Sequence, residues 1–223
     1  MNWIMKRSFG NNSVLILMLT LVMAGCQGTI EKTQPIMELP YYMDATFTPH
    51  WISSEEVSED FHRIPAFKLI NQEGESVTEK DLDAKVTVVD FFFTSCPGIC
   101  PKMTSNMLLV QQAFTDQDKV QIFSHSVTPE YDSVAVLKAY ATLKGIEKRQ
   151  WHLLTGERSV IYDLGRNQYF IEEDLGLEKD PDDFIHTENF VLIDQDRRIR
   201  GIYNGLNKSS VNQLIADVKT LLN

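Results

Sequence analysis

Cysteine is scarce in this chain: three residues in 223, at positions 26, 96 and 100. So few exclude a disulfide-stapled scaffold. Basic residues are also in deficit, 21 against 31 acidic, for a net charge of −10. An acidic domain repels phosphate backbones, which argues against nucleic-acid binding. The apolar stretch Val14 to Gly25 is 12 residues, about 18 Å of helix at roughly 1.5 Å per residue. That falls short of the roughly 30 Å hydrocarbon core, so the stretch does not read as a membrane span. Internal repeats and low-complexity tracts are lacking too, which excludes a solenoid.

What stands at the N-terminus instead is a targeting pattern over residues 1–25. Lys6 and Arg7 form a positive start, Val14 to Met23 an apolar core, and Met23-Ala24-Gly25 precede Cys26. The pattern resembles a bacterial lipoprotein signal in which Cys26 is lipidated and becomes the first residue; a plain secretory signal is the alternative. Met23 stands where that pattern usually has Leu. Lipidation would hold the domain outside the cytoplasm at a membrane, where disulfides persist. Removing residues 1–25 leaves 198 residues with 19 basic and 31 acidic side chains, net −12. That length suits one domain with a full core. Residues 26–60, with Pro35, Pro40 and Pro49, read as a tether and an irregular lead-in, and 61–223 as the domain.

Within the domain, Ala66–Ile70 reads as a short strand and Asn71–Ser76 as a turn. Thr78 with Asp81 three residues on marks a short helix start. Val86–Phe93 is a near-continuous apolar run, the pattern of a central strand buried on both faces. Pro101 opens a helix, since its missing N–H would be unpaired in the first turn anyway. Met103, Met107, Leu108 and Val110 line one helical face and read as core. Strands follow at Val120–Val127 and Trp151–Leu154, and helices over 132–144, capped by Gly145, and Ser159–Asn167. Asn189–Ile193 and Ile199–Tyr203 form a hairpin about Asp194–Arg197, and Val211–Leu222 is a closing amphipathic helix. This order predicts an α/β thioredoxin-like fold: a central mixed sheet with helices on both faces.

Cys96 and Cys100, four apart where the central strand meets a helix, carry the chemistry. Three readings compete. As a stabilising disulfide the pair closes so short a loop that chain entropy contributes only about 2 kcal/mol. As a thiol–disulfide exchanger it would draw on the helix N-terminus to favour a thiolate. Asp90, six residues before Cys96, then matches the buried aspartate that handles protons in thioredoxins, although C-x-x-x-C is one residue longer than their redox motif. Otherwise Asp90 is an ordinary hydrogen-bonded strand residue. As a metal site, two thiolates select Cu(I) or Zn over hard cations and need a third ligand. His50 and His62 lie in the lead-in, His152 reads as structural, and His125, on the strand next to the central one, stays in reserve. His186 is the best candidate. It follows the turn-like Asp180–Asp183 and precedes the strand Asn189–Ile193, in the loop that faces the cysteines of thioredoxin-like folds and usually carries a cis-proline.

The stretches FFFTSCPGICPKM, SVTPEYDS, HTENFVLID and RIRGIYNG together resemble the Sco/SenC family of copper-binding, thioredoxin-like proteins over roughly residues 60–222. The resemblance implies copper ligation by Cys96, Cys100 and His186. It also implies a role at the copper centre of cytochrome c oxidase, by copper delivery or by reduction of the oxidase cysteines. The family often has Asp before the histidine, where Ile185 stands here, and Asp-Pro where this chain has Thr128-Pro129. The expected function is a membrane-tethered extracytoplasmic copper chaperone whose partner is the oxidase copper-site subunit or another copper or thiol protein. The alternative is a thiol–disulfide oxidoreductase using Cys96, Cys100 and Asp90. Oxidation of the pair would eject the metal, and for a two-electron dithiol couple about 30 mV shifts the balance between oxidised and reduced pair by about 1.4 kcal/mol. A peroxide-reducing enzyme is a third reading; it needs an arginine near Cys96, and none is close in sequence.

Overall fold

The computed structural model describes residues 38–172 and 184–223. The signal-like segment, Cys26 and the Asp180–Asp183 turn lie outside them. Five strands form a mixed sheet in the order β5-β4-β3-β6-β7: β3 Val86–Phe92, β4 Val120–Ser126, β5 Trp151–Leu154, β6 Asn189–Ile193 and β7 Ile199–Asn204. β3 runs parallel to β4, and β4 parallel to β5, while β6 is antiparallel to both β3 and β7. A small hairpin, β1 Lys68–Ile70 with β2 Ser76–Thr78, precedes them. The helices are α1 Cys100–Ala113, α2 Val134–Lys144, α3 Arg158–Asp163 and α4 Lys208–Leu222.

All seven residues of β3 are buried, as its near-continuous apolar run predicts for a central strand. Alternate residues feed two cores. Val86, Val88 and Phe92 meet Met103, Met107 and Val110 of α1, Leu137 of α2, and Val211 and Leu214 of α4. Val89 and Phe91 meet Leu69, Ile161, Tyr169 and Val191 on the other face. Met103 and Met107 are therefore core. This two-faced arrangement is the thioredoxin-like fold.

Local signals place most boundaries. Thr78 and Asp81 form a capping box ahead of a 3-10 turn, Glu79–Leu82. Gly145 closes α2 at φ 73°, a left-handed cap. Differences from the sequence reading are small. The first strand starts at Lys68 rather than Ala66. α4 starts at Lys208, because the Asn207 side chain caps the N–H groups of Ser209 and Ser210. The helix expected over 159–167 is α only to Asp163, then widens into a π turn, Leu164–Gln168.

The lead-in from residue 38 is irregular and docks on β7. Arg200 donates from Nε to the Pro40 carbonyl at 3.1 Å and from Nη2 to that of Leu39 at 2.6 Å. Its guanidinium also pairs with buried Asp194 at 3.1 Å and covers the Tyr41 ring.

Candidate metal and thiol site

Sheet topology brings the site together. β6 is antiparallel to β3, with Val89 opposite Val191 and Thr87 opposite Ile193. Continuing that register sets Thr187 level with Phe93, so the start of β6 lies beside the end of β3. Residues 90 positions apart thus line one open pocket of about 310 Å³. Its walls include Phe91, Phe93, Cys96, Ile99, Cys100, Val127, Ile185 and His186.

Cys96 is half-buried on the loop after β3, and Cys100 is buried in the first turn of α1; both are free thiols. α1 has no side-chain cap, so its first N–H groups are available. Burial raises the Cys96 pKa, but the Cys100 thiol and the N–H groups of Cys100, Gly98 and Ile99 together outweigh burial and hold it below the usual thiol value. The Cys100 thiol is pushed up to about 12, first by burial, then because it serves as donor to Cys96. The pair thus gives up a first proton readily and holds the second.

Asp90 lies on the α1 side of β3, and its charge is felt at Cys100 and at Tyr140. It is buried and accepts a short hydrogen bond from Ser124, its register partner on β4. The Trp151 indole N–H donates to the same Ser124 oxygen at 2.8 Å, which leaves the hydroxyl proton for Asp90. Burial raises Asp90 to about 7, against the pull of Ser124.

His186 is exposed at the pocket, its ring 4.8 Å from that of Phe184. Its neighbours Ile185 and Thr187 are both buried. The position where the family often has aspartate is thus a core position here. Among the described residues, no three His, Cys, Asp or Glu side chains stand close enough to hold a metal ion. The donor types of Cys96, Cys100 and His186 suit a soft metal, and His186 would have to turn inward to join the two thiols as a third ligand. No peptide bond in the described loop is cis.

The other histidines lie elsewhere. His125 is fully buried on the opposite face, stacked on Phe91 at 4.9 Å, and neither ring nitrogen has a partner. His62 Nε2 lies 2.7 Å from the Gln168 carbonyl. His152 contacts Asn71 and Phe123, and the His50 backbone pairs with Tyr41. None of them lines the pocket, and among the described lining residues there is no arginine.

Sequence reasoning missed Asp132. Buried after β4, it accepts from the Thr94 hydroxyl at 2.5 Å, the Thr94 N–H at 3.2 Å, Ser126 at 2.6 Å and Thr128 at 3.2 Å. Thr94 opens the cysteine loop, so Asp132 ties that loop to β4. The signal was present in SVTPEYDS, a run dense in hydroxyls and acids just after a strand.

Comparison with known proteins agrees with this geometry. The SCO1/SenC family model matches residues 55–223. A SCO1/SenC family lipoprotein from Bacillus anthracis superposes with a TM-score of 0.63 at 32% identity, over 73% of this chain and 96% of that one. BsSco, a member of the Sco family of cytochrome c oxidase assembly proteins in which a disulfide switch was identified, gives 0.60 at 29% identity, over 72% and 93%. Copper-bound ScoI from Bradyrhizobium japonicum gives 0.56 at 29% identity, over 71% and 99%. With its family match over most of its length, two cysteines and a histidine on one pocket, and this fold, the chain belongs to the SCO1/SenC family.

Proposed function

We propose that this protein is a copper chaperone, tethered outside the cytoplasm through lipidated Cys26, that assists assembly of the copper centre of cytochrome c oxidase. Copper is its cargo, held by Cys96, Cys100 and His186. The observation that carries the reading is that these three residues line one open pocket. Support comes from the copper-bound relative, from the relative named as an oxidase assembly protein, and from the relative that is a lipoprotein. Among the described residues no helix is long and apolar enough to cross a membrane; the tether proposed is the lipid on Cys26.

The chemistry follows from the donors. A thiolate favoured at Cys96 is ready for a soft cation, and Cys100 gives its proton up when the metal takes its place. A third, exposed ligand on a loop can leave first, so cargo passes to a partner by exchange of one ligand at a time. Oxidation of the pair removes both sulfur donors, which links cargo loading to redox poise.

Anaerobic Cu(I) titration of the reduced protein against a competing chelator tests the proposal. One-to-one binding that collapses in Cys96→Ser and in His186→Ala is expected. Near-normal affinity in His186→Ala would sink the three-ligand site.

A second reading, reduction of a partner's cysteines, has its own observation: buried Asp90 behind Cys100, raised to about 7. It predicts that Asp90→Asn slows disulfide exchange near neutral pH while His186→Ala leaves exchange intact. Exchange rates unmoved by Asp90→Asn would remove its support.

A further inference from the structure

Residues 184–188 have no regular secondary structure, yet Ile185 and Thr187, on either side of exposed His186, are buried. An exposed side chain between two buried neighbours is held by whatever seats those neighbours. One surface seats both: the π turn Leu164–Gln168 and Ile171 just after it.

Ile185 seats by shape. A Cβ on Gly165 would stand 3.2 Å from the Ile185 Cδ1 and 2.9 Å from that of Ile171, so the turn is bare where Ile185 rests. Thr187 seats by hydrogen bonds. Its hydroxyl donates to the Ile171 carbonyl at 2.8 Å, across 16 positions of sequence, and accepts from the Asn189 N–H at 3.0 Å. The donor role of the hydroxyl and one acceptor role are thus both used. The Asn189 side-chain amide donates to the same Ile171 carbonyl at 2.9 Å. The Ile171 N–H in turn donates to the Gly165 carbonyl at 3.1 Å. Beyond Thr187 the chain is tied to α1, the helix that carries Cys100. The Glu188 carbonyl accepts from the Gly205 N–H at 2.7 Å, and the Gly205 carbonyl accepts from the buried Asn106 amide of α1 at 2.6 Å.

We propose that Thr187 is a positioning residue for His186: its hydroxyl clasps the Ile171 carbonyl and fixes the backbone from which the imidazole turns toward the cysteines. The inference rests on His186 being a copper ligand.

The test is Thr187→Val in the full chain, which keeps the side-chain shape and removes the hydroxyl, with Thr187→Ser to restore it. The Ile171 carbonyl keeps its bond from the Asn189 amide in both variants. In metal-free protein, the backbone order parameter at His186 should fall from about 0.85 to below about 0.6 in Thr187→Val, return in Thr187→Ser and stay unchanged at Leu192 in β6. No fall at His186, an equal fall at Leu192, or a fall that serine does not reverse overturns the clasp. In reduced protein, Cu(I) affinity should drop about tenfold in Thr187→Val, recover in Thr187→Ser and show no further drop when the valine change is added to His186→Ala. Equal losses in both backgrounds, or no loss in Thr187→Val, overturn the role through His186. Unchanged affinity in His186→Ala alone would instead defeat the copper-ligand reading. The order parameters then uphold or overturn the clasp without reference to copper.

Discussion

Asp90 offers a quantitative test of how the fold treats a buried charge beside the thiols. It sits in mid-β3 with 2% of its surface exposed and accepts from Ser124. Burial raises its pKa from an ordinary 3.8 to about 7. Between those values the native protein holds a proton that the unfolded chain has released. The contribution of this group to stability is therefore fully present below pH 3.8 and is lost as pH rises through about 7. At about 1.4 kcal/mol for each pH unit, that window corresponds to about 4 kcal/mol. Asp90→Asn keeps the shape, still accepts from Ser124 and cannot ionise. The reduced variant should be more stable than the parent at pH 8 by up to about 4 kcal/mol, less about 1 kcal/mol for a weaker bond from Ser124. The advantage should close toward pH 4. Urea unfolding of both proteins from pH 4 to 9 at fixed ionic strength reads this directly. A difference that stays flat across the range, or an Asn variant less stable at pH 8, would refute the reasoning.

The two thiols should differ in reactivity. Cys96 is half-buried with its pKa lowered, and Cys100 is buried and pushed to about 12, so an alkylating reagent at neutral pH should label Cys96 at least about tenfold faster. Equal labelling by peptide mass spectrometry would show that the helix N-terminus does not hold the Cys96 thiolate. Asp132→Ala leaves the donors of half-buried Thr94 and buried Ser126 without their acceptor and should cost about 3 kcal/mol in urea unfolding; an unchanged midpoint would make this network dispensable. His125, pushed down to about 3 by burial, stays neutral in the native state while the unfolded chain takes up a proton below pH 6.5. Stability is therefore lost as pH falls from 6.5 toward 3, and His125→Phe should move the acid-unfolding midpoint to lower pH. A midpoint that does not move would place the acid sensitivity elsewhere.

Several features of this protein are written in contiguous residues. The short, near-continuous apolar run Val86–Phe92 has the pattern of a strand buried on both faces, and Pro101 stands in the first turn of the helix that follows it. The Thr78–Asp81 pair and Gly145 mark a helix start and a helix end by their own side-chain and backbone chemistry. The C-x-x-x-C spacing at the strand–helix junction marks the reactive pair, because strand, turn and helix N-terminus all lie within a dozen residues. The α3 helix was less plain, since a π turn differs from an α-helix by one hydrogen-bond register and has no separate residue pattern. Asp132 stayed hidden for another reason. Aspartate after a strand is ordinary in sequence, and its role exists only where it meets Thr94, Ser126 and Thr128. Local patterning by itself determined the elements and the dithiol. Tertiary structure decided that β6 runs antiparallel beside β3, that His186 reaches the cysteine pocket while His125 is sealed in the opposite core, and that Asp90 lies behind Cys100. Those outcomes depend on strand order and register, which bring together groups as far apart in sequence as Thr87 and Ile193 and which no local stretch of chain encodes.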